Sequence, residues 1–356
     1  MSLDRSLEMT TMIPAQDIPG ILSAVARGAD GSSDLSREAA HALFAEWLSG
    51  HLPSVAQGAL WIAFRLKGET LAELLGFVAA TEDCVAAITA PTGFKPIVLP
   101  SYNGARRHAN LLPLLALLLA REGVPVLVHG SYGGPAQDTA LTLPQHDPSE
   151  RTTTGEILAH LGFPPAPTRY ALHDQLQRHH LAYVPLDVLH PPLASILSLR
   201  RALGVRSSAH TVIKLFNPFK APAVQCAAVT HPPYLERMRA FFVAAGSTAL
   251  VLRGTEGEPV AHARRRPALI GIDGGCEREW FSEDRAPLTH ITQLPADRGA
   301  AATCLFIEEA LAGHRPIPDP IRDQAACLLV MSGAARDLGQ ARALVGSAPR
   351  HPGRRS

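Results

Sequence analysis

The sequence has little of what several large protein classes require. Its five cysteines (Cys84, Cys226, Cys276, Cys304 and Cys327) are scattered and form no CxxC pair. That excludes a zinc knuckle or a disulfide frame and points to a reducing compartment. Aromatic residues make up only 5% of the chain, while alanine and leucine abound, a balance that favours helices over an all-β design. The longest apolar run, Leu111 to Leu119, stops at Arg121-Glu122 and is too short to span a bilayer. No charged-then-apolar leader opens the chain, so a cytoplasmic protein without membrane attachment is expected. The 16 histidines include no HExxH pair. Gly133-Gly134 and Gly274-Gly275 stand outside any GxGxxG or P-loop context and read as turns. Neither sign of charge dominates: the formal net charge is +1, whereas a dedicated nucleic-acid binder is usually more basic. Any such role must come from local clustering.

What is present is a chain of 356 residues, 46% hydrophobic, enough for one or two sizeable cores. From Leu35 the apolar residues recur at helical spacing (Leu35, Ala39, Leu43, Trp47, widened by Phe44 and Leu48), with Asp34 or Ser36 as cap and Gly50 as stop. Helices over Ser54 to Leu66 and Thr70 to Thr81 follow, making a small helical domain. Glu69 and Glu73 read as charges on a helix surface. Then the period changes. Pro96–Leu99 and Pro125–His129 are β-prone runs flanking a helix over Leu111–Arg121, with Pro113 tolerated in its first turn. Further strands are expected at Ala182–Leu186, Ala223–Val229, Ala249–Leu252 and Leu269–Ile272, with a helix at Pro233–Ala245. The alternation predicts an α/β fold. Residues 131–154 read as a long exposed loop and 346–356 as a disordered basic tail.

Several of these segments resemble the anthranilate phosphoribosyltransferases. They are Leu35-Ser36-Arg37-Glu38-Ala39, Gln57-Gly58-Ala59, and Arg65-Leu66-Lys67-Gly68-Glu69-Thr70 with Glu73. Gly123-Val124-Pro125-Val126 with His129-Gly130, the run Leu199-Arg200-Arg201-Ala202-Leu203-Gly204-Val205-Arg206, and Asn217-Pro218 complete the match. The resemblance covers roughly residues 20 to 345. It implies a small all-helical domain hinged to a larger α/β domain with a mixed, largely parallel central sheet flanked by helices. The expected boundaries are 1–93 for the helical domain, with a returning segment at about 170–202, and 94–169 plus 203–345 for the α/β domain. It also implies a homodimer formed through the helical domain.

That family transfers phosphoribose from a pyrophosphate donor to anthranilate, which requires a backbone cradle for phosphates, a Mg²⁺ site and an acceptor pocket. Each is altered here. Pro100-Ser101-Tyr102-Asn103-Gly104-Ala105 falls on the family's Gly-Thr-Gly-Gly-Asp-Gly cradle, so Tyr102 and Asn103 replace glycines whose bare backbone approaches phosphate. Asn110 matches, but the following Ser-Thr is Leu112-Pro113. Arg253-Gly254-Thr255-Glu256-Gly257 matches the lead-in to the acidic pair, yet Pro259-Val260 occupies the pair itself; a slip of one or two residues brings in Glu256 or Glu258. The acceptor motif reads His129-Gly130-Ser131-Tyr132, preceded by Val128. A later acceptor segment is His210-Thr211-Val212-Ile213-Lys214. Among the polar residues, only Arg200 keeps a position that faces the acceptor carboxylate.

Basic residues appear where catalytic ones are lost. Arg106, Arg107, Arg200, Arg201, Arg206, Lys214, Lys220, Arg253, Arg264, Arg265 and Arg266 are candidate phosphate contacts, with Asn103 and His129 beside them and Tyr102 or Tyr132 as stacking surfaces. The bland alternatives are that Arg264–Arg266 is a solvated loop and that Arg106-Arg107 caps a helix or pairs with acidic neighbours. The runs Pro100 to Arg106, Val124 to Gly130 and Arg253 to Val260 resemble the YbiB group of this family, whose members bind nucleic acid without sequence preference. The reading is therefore a non-catalytic relative, a homodimer binding DNA or RNA through an arginine-lined inter-domain cleft, with no catalytic residues, no metal ligands and no cofactor. The alternative is a pentosyl (phosphoribosyl) transferase using phosphoribosyl pyrophosphate and Mg²⁺ with an altered acceptor; a small-anion-binding regulator is a third possibility.

Overall fold

The computed structural model describes residues 17–27, 31–131, 151–284, 294–295 and 297–346. Tyr132, Gly133-Gly134, most of the expected loop at 131–154 and the expected tail from residue 347 onward lie outside the described residues. The chain divides into two units, Met1–Ala86 with His190–Phe216, and Ala87–Leu189 with Asn217–Ser356. Three expected boundaries shift. Residues 87–93 join the larger unit. Residues 170–189 join the larger unit, because the helix Arg169–His179 leads into a strand of its sheet. Residues 203–216 join the helical unit instead.

The helical unit contains Ile18–Val25, Arg37–Leu48, Ser54–Lys67 and Leu71–Cys84, followed by the returning Pro191–Ser198, Arg200–Leu203 and Ala209–Val212. Ser36 caps its helix by accepting from the Ala39 amide at 3.2 Å, as its place before the apolar period predicts. The Lys67-Gly68-Glu69-Thr70 turn explains itself through Glu73. Its carboxylate accepts from the Thr70 amide at 2.8 Å and the Leu35 amide at 2.9 Å, and it pairs with Lys67 Nζ at 2.9 Å. Glu73 is fully buried, so the surface-charge reading is corrected: the residue closes a capping box and anchors a neighbouring loop. Burial pulls the Lys67 pKa down, but Asp34 and Glu73 outweigh it and raise it.

The larger unit is a seven-stranded sheet: β1 (Ile97–Ser101), β2 (Val126–Gly130), β3 (Leu181–Pro185), β4 (Val224–Val229), β5 (Thr248–Arg253), β6 (Leu269–Asp273) and β7 (Cys276–Phe281). The order is β3-β2-β1-β4-β5-β6-β7. Pairing is parallel from β3 through β5 and antiparallel at β5–β6 and β6–β7. Every residue of β1 and β2 is buried, the pattern of a parallel sheet covered on both faces. The helix Leu112–Arg121 packs there with Leu112, Leu114, Leu115, Leu118 and Leu119 buried. Each such leucine stabilises by about 1.5–3 kcal/mol. Strand β7 escaped the sequence reading because Cys276-Glu277-Arg278-Glu279 is exposed at the sheet edge. Its hairpin turn is Gly274-Gly275, both with positive φ (55° and 81°), as a two-residue turn between antiparallel strands demands.

Candidate functional site

In an open α/β sheet, ligands sit beyond the carboxyl ends of the strands where the strand order reverses. Here that place is β1, with β2 and β3 on one side and β4 and β5 on the other. Two loops meet there: Tyr102–His108 after β1, and Gly254–Glu258 after β5.

Two glutamates of the second loop fill the first. Glu258, 1% exposed, accepts from the Asn103 amide at 2.7 Å and the Gly104 amide at 2.8 Å through Oε1. Its Oε2 accepts from the Ser101 hydroxyl. Behind Ser101 runs a buried relay: Thr154 Oγ1 lies 2.8 Å from the Ser101 hydroxyl and accepts from Asn110 Nδ2 at 2.9 Å. Glu256 binds the next stretch, accepting from the amides of Arg106 (3.0 Å), Arg107 (2.8 Å) and His108 (3.0 Å). Burial pushes the Glu256 carboxyl up, but the amides of Arg107, Arg106 and His108 and the nearby His108 outweigh it, so it titrates below the usual carboxylate range. Convergent backbone N–H groups form concave anion sites, and both concavities hold the protein's own carboxylates. Gly257 permits the approach: with φ 90°, a Cβ there would lie 2.4 Å from Asn103 Nδ2.

A slip that would place Glu256 and Glu258 at a metal therefore brings carboxylates whose oxygens already bind amides. Pro259 and Val260, at the position of the family's acidic pair, are buried, and the Pro259 carbonyl accepts from Gln324 Nε2 at 2.9 Å. These residues do not fit a Mg²⁺ site, which needs open oxygen ligands. Among the described residues no group of three or more His, Cys, Asp or Glu side chains is placed to hold a metal.

Burial or pairing corrects several expected contacts. His129 is fully buried on β2, with Nδ1 2.6 Å from the Tyr102 hydroxyl, and burial pushes its pKa down to about 3. It is a neutral core residue, not a phosphate contact. Asn103 is buried beneath Gly257 with its amide on Glu258. Lys214 is only 8% exposed. Arg266 is drawn inward to Asp323 at 3.3 Å and lies over the Phe281 ring. Tyr102 is half-buried and tethered to His129, so it forms a wall of the loop rather than an open stacking surface.

His129 makes stability depend on pH. An unfolded chain protonates imidazole near 6.5, whereas the folded one holds it neutral to about 3. Between those values the unfolded state binds more protons, so stability falls as pH is lowered. Unfolding free energies from denaturant titrations between pH 7 and pH 4 are expected to drop, with His129 contributing up to about 1.4 kcal/mol per pH unit. His129→Leu flattens that slope; an unchanged slope would count against the assignment.

The exposed cations divide between the two units. In the larger unit Arg106, Arg107, Lys220, Arg253, Arg264 and Arg265 are exposed, and Arg253 lies 3.9 Å from Glu283. The His108 and His262 rings meet edge-to-face with centroids 5.1 Å apart. Thus the Arg106-Arg107-His108 loop lies against the His262-Ala263-Arg264-Arg265 loop, although more than 150 residues separate them in sequence. Burial lowers the His262 pKa, followed by the charges of His108, Arg265 and Arg264. Arg298 donates to the Arg106 carbonyl and Arg151 to the Asn103 carbonyl at 3.1 Å. His108, Arg151, His262 and Arg298 were missed by sequence reasoning, since Arg151 and Arg298 stand apart from any basic run and the two histidines only flank one. In the helical unit Arg200, Arg201 and Arg206 are exposed. Their segment is pinned by Trp61 Nε1 on the Val205 carbonyl (3.2 Å) and Arg65 on the Arg206 carbonyl (3.1 Å). Burial, then the charges of Arg206 and Arg200, push the His210 pKa down to about 3.

Residues 20–83 match the helical bundle domain of a glycosyl transferase family. The chain is 37% identical to the YbiB protein of Escherichia coli strain K12, over 93% of this chain and 99% of that one. It is 27% identical to an anthranilate phosphoribosyltransferase of Methylorubrum populi, over 90% of each. Its fold is that of the anthranilate phosphoribosyltransferase of Thermus thermophilus, with a TM-score of 0.71 at 19% identity over 94% of each chain. A Saccharomyces cerevisiae anthranilate phosphoribosyltransferase, in complex with PRPP and Mg, gives 0.68 at 13% identity, over 94% of this chain and 93% of that one. The chain belongs to the anthranilate phosphoribosyltransferase-like family, which includes the YbiB-like proteins.

Proposed function

We propose that the protein is a non-catalytic member of this family that binds DNA or RNA without sequence preference, on the basic loops of its larger unit. The observation that carries this reading is the meeting of Arg106-Arg107-His108 with His262, Arg264 and Arg265 through the His108–His262 contact. It supplies the local clustering that a net charge of +1 otherwise denies. Guanidinium forks suit phosphate oxygens, and contacts to phosphate alone carry no sequence information. The loss of donor chemistry is supported by the loop amides, which bind Glu256 and Glu258 rather than standing open. Arg200, Arg201 and Arg206 are further candidate contacts on the helical unit. Among the described residues no helix is long and apolar enough to cross a membrane, and a cytoplasmic location fits the unpaired cysteines.

The deciding experiment is retention of single- and double-stranded oligonucleotides at low salt, followed by a salt titration. Binding that weakens steeply with salt is expected; no retention of either would remove the reading. Calorimetry with phosphoribosyl pyrophosphate is expected to show no heat that depends on Mg²⁺, and a Mg²⁺-dependent heat would favour the transferase alternative.

The protein partner proposed is a second copy, docked through the helical unit. Val55, Ala59, Ile62 and Leu66 follow one another at i, i+4, i+7 and i+11 on the helix Ser54–Lys67, and all are exposed, Val55 and Leu66 to about 80% (82% and 79%). That spacing is one face of a helix, and an apolar stripe facing water marks an interface. Leu66→Asp is expected to turn a dimer into a monomer by light scattering with the melting of the α/β unit unchanged; an unaltered mass would rule the stripe out.

A further inference from the structure

We propose that the backbone amides of Arg106, Arg107 and His108 form an oxyanion subsite for a phosphate group, and that Glu256 occupies it in the free protein. Three N–H groups converge on this one carboxylate at 2.8–3.0 Å. A carboxylate presents two oxygens and a negative charge, as does one face of a phosphate, so a donor set complementary to the first is complementary to the second.

The two glutamates differ in what they can do. Glu258 is 1% exposed and tied to Ser101 as well as to two amides; it belongs to the core of the loop and stays. Glu256 is half-buried, and its three amide bonds lie at the surface. Its φ of 53° places a non-glycine residue in the left-handed region, a conformation that opposes the loop's grip on it. The exposed Arg106 and Arg107 side chains flank the amides, and Arg264 and Arg265 follow the His108–His262 contact. An incoming phosphate thus meets both the amides and the guanidinium groups. Glu256, once displaced, turns to water.

The phosphate has two possible sources, a nucleic-acid phosphodiester or a free phosphate, and the first of these rests on the function proposed above. The test follows the Arg106, Arg107 and His108 amide signals of the ¹⁵N-labelled full-length chain. Inorganic phosphate and, separately, a short oligothymidylate are added to the wild type, Glu256→Gly and Glu256→Gln. Glycine suits the positive φ, and glutamine keeps the shape while losing the charge, so failure of one variant to fold leaves the other to decide. Both variants are expected to respond at these three amides at about tenfold lower probe concentration than the wild type, since a competing charge-assisted bond is gone. A response to phosphate alone assigns a free phosphate, a response to the oligonucleotide alone assigns the phosphodiester, and either supports the subsite. Amides that respond no more readily than the wild type to both probes overturn it. Loss of oligonucleotide retention by the wild type would instead defeat the proposed function, with the inorganic phosphate titration still deciding the subsite.

Discussion

Changing Arg106, Arg107, Arg264 and Arg265 together to glutamine is expected to lower oligonucleotide affinity by about two to three orders of magnitude near 0.1 M salt. The reasoning is electrostatic. Each phosphate neutralised by an arginine releases condensed counterions, and for a single strand the slope of log affinity against log salt is about −0.7 per contact. Losing four contacts should therefore flatten the slope by about 3. All four side chains are exposed and none has an ion pair among the described residues, so stability should move by no more than about 0.5 kcal/mol. Arg266→Gln provides the contrast. Its guanidinium is engaged by Asp323, 5% exposed in its side chain, and by the Phe281 ring, so it should destabilise the fold and leave the salt slope alone. An unchanged slope in the quadruple variant would detach nucleic-acid binding from these loops.

Removing the Glu73 carboxylate should be the most damaging single change in the helical unit. Glu73→Ala leaves the amides of Leu35 and Thr70 without their acceptor and strips the Lys67 ammonium, 5% exposed in its side chain, of its buried partner. Asp34, itself 64% exposed, remains beside it at 2.6 Å, with the Gly68 carbonyl at 3.2 Å. Breaking a buried pair by deleting one member costs about 3–5 kcal/mol, which a urea titration of the full chain resolves. A double change, Lys67→Met with Glu73→Gln, should recover part of the loss, because it leaves no uncompensated buried charge. A loss under about 1 kcal/mol for Glu73→Ala would mean that water reaches Lys67 and that the cluster is not closed.

Sequence and tertiary structure divide this protein along a physical line. Helix caps, the change of apolar period near residue 95 and six of the seven strands were legible in order, because burial of a helix stripe or a strand face writes a local pattern. Strand β7 was not, because an exposed edge carries no such pattern. The loss of the family's cradle glycines and acidic pair was also readable, since a proline and a valine cannot ligate a cation whatever the fold. What filled the vacated donors was not. Glu256 and Glu258 reach amides about 150 residues earlier in the chain, and only the pairing of β1 with β4 and β4 with β5 brings those loops to one edge. The same holds for Glu73, whose burial depends on neighbouring helices and not on its own period. The candidate basic residues were chosen by type, but exposure sorted them: Arg106, Arg107, Arg264 and Arg265 stand in water, while Arg266, Lys214 and His129 were claimed by the interior. Local pattern specifies which face of an element is apolar; where a charge ends up depends on which distant backbone groups still need a partner.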